Sequence, residues 1–168
     1  SFNEDTTGAS NTAVGHASLR ANTTASYNVA IGKQAMDATT TGGENTAVGY
    51  QALKASTTTA GSVAIGYNSQ YQATGLNNTS VGEASFPAAL TGQDNTGIGG
   101  SAGIALTSGS NNLMLGHDAG RTGSPGGSIT TADNLIILGD ENITASNIQV
   151  DWTIASDARD KTDFTDLD

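Results

Sequence analysis

Nine residues starting at Asn11, NTAVGHASL, return almost unchanged as NVAIGKQAM from Asn28 and as NTAVGYQAL from Asn45. Aligned on the glycine that closes each motif, the series runs Gly15, Gly32, Gly49, Gly66, Gly82, Gly99, Gly116 and Gly139. The successive steps are 17, 17, 17, 16, 17, 17 and 23 residues. A repeat this short is excluded from helix-pair and propeller architectures, whose units need about 30–50 residues. It fits one coil of a parallel β-solenoid, an all-β fold in which each coil stacks on the last at roughly 4.8 Å.

The residues around each glycine fall into columns, numbered here relative to that glycine. Position −1 is aliphatic throughout: Val14, Ile31, Val48, Ile65, Val81, Ile98, Leu115 and Leu138. Position −3 holds Thr12, Val29, Thr46, Val63, Thr79, Thr96, Leu113 and Ile136. Side chains alternate along a strand, so −3 and −1 share a face. The size pattern predicts that this β-branched face points into the coil and that the small −2 residue points out. The eight glycines are read as structural repeat positions, where a backbone corner or close approach has no room for a Cβ. Position +3 is always Ala or Ser through Ala119, which lets a second wall come near. Polar turn-formers such as RANTTASY and DATTTGGE mark the loops between motifs.

These columns divide the chain into a lead-in at 1–10, a solenoid repeat domain at 11–133, closing strands at 134–155 and an acidic tail at 156–168. NLIILG, SNIQV and DWTIA read as strands of the closing region, where the 23-residue step breaks the spacing. Such a coil has little to bury. Only 36% of the 168 residues are apolar and 5% aromatic, while 22 are glycine. Thin folds of this kind are stabilised by association, so a trimer of parallel copies is expected. Position +4 (Leu19, Met36, Leu53, Gln70, Phe86) forms a second apolar stripe. It is the expected interface between copies.

Several functions are disfavoured. No cysteine is present, so disulfides and thiolate metal sites are excluded. The net charge of −10 argues against nucleic acid and anionic membrane as partners. No stretch approaches eighteen apolar residues, so membrane insertion is not expected. The histidines His16 and His117 lie six coils apart, and no metal or cofactor site is predicted. GIGGSAG (97–103) has the glycines of a nucleotide loop but no lysine and sits in the repeat. GGEN and SPGGS lack the aspartates of calcium-binding repeats. Asp140 and Glu141 sit in a loop without a periodic partner. The Thr column (Thr23, Thr40, Thr57, Thr74, Thr91) and the Asn column (Asn11, Asn28, Asn45, Asn78, Asn95, Asn112) read as turn residues bonding their own backbone. Trp152, the one tryptophan, is expected to cap the apolar interior where three chains meet.

Two stretches carry a resemblance. NTAVGYQAL and SVAIGYNSQ resemble the head repeats of YadA-type trimeric adhesins, and similar longer repeats occur in phage tail fibres. The likeness covers about Asn11 to Gly116 and implies a left-handed, β-roll-like solenoid in each of three parallel chains. TIASDARDKTDF, from Thr153 to Phe164, is similar to the junction that opens the intramolecular chaperone of phage tailspikes and fibres. By that resemblance Ser156 would be the nucleophile of self-cleavage and Lys161 its basic partner, with scission between Ala155 and Ser156. Asp157 and Arg159 complete the motif. A lysine of lowered pKa can deprotonate a serine. Only twelve residues follow Ser156, too few for the chaperone body, so this chain alone is not expected to be an enzyme.

Together these readings give a structural and adhesive segment near the C-terminal end of a trimeric fibre, in a virion tail or at a cell surface. Its partners would be itself and a host-surface glycan or protein. A tailspike depolymerase acting on surface polysaccharide, or the head of a bacterial autotransporter adhesin, are the alternatives.

Overall fold

A computed structural model describes residues 7–88 and 90–145. It is an all-β solenoid. Eight three-residue strands, β1 (Thr12–Val14), β2 (Val29–Ile31), β3 (Thr46–Val48), β4 (Val63–Ile65), β5 (Thr79–Val81), β6 (Thr96–Ile98), β7 (Leu113–Leu115) and β8 (Ile136–Leu138), form one sheet in sequence order. Every neighbouring pair is parallel, and the columns stay in register throughout: Ala30 opposes Ala47, Ser80 opposes Gly97, and Met114 opposes Ile137. The coil after Gly66 drops one residue, and the coil after Gly116 gains six, without disturbing that register.

The facing of the strands is the reverse of the expectation. Ala30, Ala47, Ala64, Ser80 and Met114 at position −2 are fully buried. Ile31, Ile65, Ile98 and Leu138 at −1 are 38–45% exposed, and Val14 is 56% exposed. The stripe at +4 is the core: Leu19, Met36, Leu53, Gln70 and Phe86 are fully buried. The physical reason is the thinness of the coil. The +3 residues, Ala35, Ala52 and Ser69 among them, are also fully buried, so the opposite wall comes close. From Leu19 to Phe86 the space between the walls is filled chiefly by the side chain at position +4. Small residues therefore fill −2 in the first six coils, and larger ones, Met114 and Ile137, enter that column only in the last two.

Bringing the +4 side chain inward requires left-handed backbone, with φ of 47–51° at Leu19, Met36, Leu53, Gln70 and Phe86. That conformation costs about 1–2 kcal/mol per residue. Burying a large apolar side chain returns about 1.5–3 kcal/mol. The same residues also join neighbouring coils, because Leu19, Met36, Leu53 and Phe86 each donate their N–H to the +3 carbonyl of the next coil. Where the stripe departs from large residues, its neighbours compensate. A Cβ on Gly97 would stand 2.7 Å from the Phe86 ring, and one on Gly103 would collide with it. Gly120 likewise makes room for the Met114 sulfur, 2.7 Å from where its Cβ would be.

Buried asparagines provide a second ladder. Asn28 Oδ1 accepts from the Asn45 backbone N–H at 3.0 Å and from Asn45 Nδ2 at 3.1 Å. Asn45 Nδ2 also donates to the Thr59 carbonyl at 2.8 Å. The pattern recurs at Asn78, Asn95 and Asn112, and Ser62 takes the asparagine's place in the fourth coil. The Thr23 and Thr40 hydroxyls donate to carbonyls of the following coil. Both columns are structural, but their bonds run to the adjoining coil and not to the residues' own turn.

Candidate interaction face

The outward side of the sheet carries three adjacent columns, −3, −1 and +1. Position −1 makes an aliphatic stripe along all eight strands, flanked at −3 by threonines alternating with aliphatic residues and ending at Ile136 (64% exposed) and Leu138. A groove of about 400 Å³ opens beside its C-terminal end, lined by Thr96, Leu113, Leu135 and Ile136 together with Asp94 and Asn111. Exposed apolar strips rimmed by polar residues are a common feature of interaction surfaces.

Position +1 borders the stripe with polar and aromatic groups: His16, Lys33, Tyr50, Tyr67, Glu83 and His117. Parallel register stacks them. The Tyr50 and Tyr67 rings lie 5.5 Å apart and within 19° of parallel, and the Lys33 ammonium sits 5.9 Å from the Tyr50 ring centre. On the far side of the corner, position +5 stacks in the same way. Arg20 Nε meets Asp37 Oδ1 at 2.7 Å, and Lys54 lies 5.6 Å from the Tyr71 ring centre.

The column logic also assembles a group that sequence reasoning missed. His117 and Asp140 are the +1 residues of the last two coils. Asp140 therefore has a periodic partner, contrary to its reading as an isolated loop acid. His117 Nδ1 stands 3.8 Å from Asp140 Oδ2 and 3.5 Å from Asp118 Oδ2. Arg121 Nη1 donates to Asp118 Oδ2 at 2.8 Å. The Asn142 side-chain amide, then its backbone N–H, hold the Asp140 carboxyl below its ordinary pKa, and His117 adds to the effect. The 23-residue step concealed this pairing.

The eight repeat glycines occupy the corner between the −1 and +1 columns. Gly49 has φ of 137°, and a Cβ there would lie 2.5 Å from the Gly66 carbonyl oxygen. Ser156 and Lys161, with Ala155, Asp157, Arg159 and Trp152, lie outside the described residues, as do the strands read in SNIQV and DWTIA. No protein-family model, curated protein or solved structure matched the chain.

Proposed function

We propose that this chain is a structural and adhesive segment of a trimeric fibre, near its C-terminal end, that presents a recognition surface to a host or cell surface. The observation that carries the reading is the continuous aliphatic stripe at −1, flanked by the mixed threonine and aliphatic column at −3, on the outside of a coil whose own core is thin. Three parallel copies with these stripes turned to a common axis would cover it. The interface thus falls on the −3 and −1 columns and not on +4, which is already filled. The YadA-like repeats, with the left-handed roll they imply, support the same assembly, and the SDARDK junction supports a phage-type fibre.

Light scattering tests the assembly: the folded chain should have three times its 16.8 kDa mass. A stable folded monomer would refute it. Fluorescently labelled trimer should then decorate whole bacterial cells of a susceptible host, and protease or periodate treatment of those cells assigns the receptor to protein or glycan. Binding to no cell surface in a broad panel would leave the chain a spacer and remove the adhesive half of the proposal.

A further inference from the structure

The cluster at the end of the solenoid has the makings of a metal site. His117 Nδ1, one oxygen of Asp118 and one of Asp140 all lie within 4.8 Å of one another. Ligands at about 2.0–2.2 Å from a tetrahedral ion stand about 3.3–3.6 Å apart. The two measured separations from the histidine nitrogen, 3.5 and 3.8 Å, need only a few tenths of an ångström of adjustment. We propose that His117, Asp118 and Asp140 bind a divalent transition cation, zinc being the best fit, which fastens the last coil to the one before it.

Four observations support the site. The carboxylates are largely enclosed, with side chains 15% and 10% exposed, so they differ from solvated surface acids. Asp118 Oδ1 is shut off from solvent with no hydrogen-bond donor against it. Both carboxylates are oriented by a neighbour, Asp118 by Arg121 and Asp140 by Asn142, each donating to the same Oδ2 that faces His117 and leaving that oxygen's second lone pair for an ion. Finally, two carboxylates face a single guanidinium, that of Arg121, an arrangement that favours a bound cation. The imidazole selects among cations, since nitrogen donors suit zinc and its transition-metal neighbours over calcium or magnesium. His117 is 72% exposed, which leaves an open side for a water as fourth ligand. The ligands come from both sides of the 23-residue step, where the longest connection separates two coils.

The test is calorimetric titration of the whole chain with zinc chloride, repeated with cobalt, whose visible bands report tetrahedral geometry. One ion per chain is expected, with a higher melting temperature when it is bound. His117→Ala and Asp140→Asn should each weaken binding at least tenfold. His16→Ala, in the same column of the first coil beside Lys33, should leave it unchanged. His117 is exposed, so its variant keeps the fold, and circular dichroism checks this. Absence of zinc binding, or zinc binding that survives both His117→Ala and Asp140→Asn, would overturn the proposal. So would calcium binding as tight as zinc, which would mark simple attraction to an acidic chain. None of these outcomes depends on the number of copies in the fibre.

Discussion

Ala64 and Ile65 are neighbours in β4, yet their side chains lie on opposite sides of the sheet. The same substitution at the two positions should therefore do different damage. Ala64 is fully buried between Ala47 and Ser80 of the adjoining coils. An aspartate there would bury a carboxylate with no partner, at several kcal/mol, against a total stability of about 5–15 kcal/mol for a domain. Ala64→Asp should abolish the fold. Ile65 is 38% exposed. At about 1.5–3 kcal/mol for a whole side chain, its loss costs one coil about 1–2 kcal/mol, which the fold can survive. The exposed remainder represents about 0.6–1.1 kcal/mol per copy on association. Three carboxylates brought to one axis would add repulsion and desolvation to that loss. Ile65→Asp should therefore keep the β-rich circular dichroism spectrum while the mass in sedimentation velocity falls to 16.8 kDa. If Ile65→Asp erased the β signal as completely as Ala64→Asp, or stayed trimeric, the assignment of outward and inward columns to interface and core would be wrong.

Other columns give sharp contrasts. Gly49→Ala should lower the melting temperature severely, because its Cβ would meet backbone of the next coil, whereas Gly127→Ala, with nothing within 4 Å, should cost about 1 kcal/mol for its positive φ. Asn95→Ala strands the Asn112 N–H and the Gly109 carbonyl inside the coil. At about 1–3 kcal/mol for each orphaned group, chemical denaturation should show a loss of about 2–6 kcal/mol. Gly103→Ala should be strongly destabilising alone and much less so together with Phe86→Leu, because the ring occupies that space. A denaturation double-mutant cycle on Phe86 and Gly103 should therefore show clear coupling.

The period, the parallel sheet and the role of the glycine and asparagine columns were legible in the sequence because backbone bonding between coils repeats with the residues that perform it. The facing of the strands was not. Alternation separates −3 and −1 from −2 but does not say which set is inside. Side-chain size suggested the wrong answer, since the interior here is narrow enough that alanine is the fitting residue. A usable signal was present at +1. Lys33, Tyr50 and Glu83 share the parity of −3 and −1 across the corner, and a lysine or glutamate on that face argues that the face is outside. The +4 stripe contains no charged residue from Leu19 through Phe86, which fits a core better than an open surface. The His117–Asp140 pair was equally present as two members of one column, hidden by a longer loop.

The coils hold one another mainly through groups that do not vary along the rod. Backbone N–H and carbonyl groups, asparagine amides and corner glycines make the contacts from coil to coil, and the enclosed side chains need only sum to the right volume. Phe86 beside Gly97 and Gly103, and Met114 beside Gly120, show how freely that volume is redistributed between neighbours. The outer +1 and +5 columns are then released from fold-making. They carry histidine, lysine, tyrosine, arginine and the two acids in close stacks, at a fixed spacing set by the strands. A surface of this kind can change its chemistry residue by residue while its geometry stays constant.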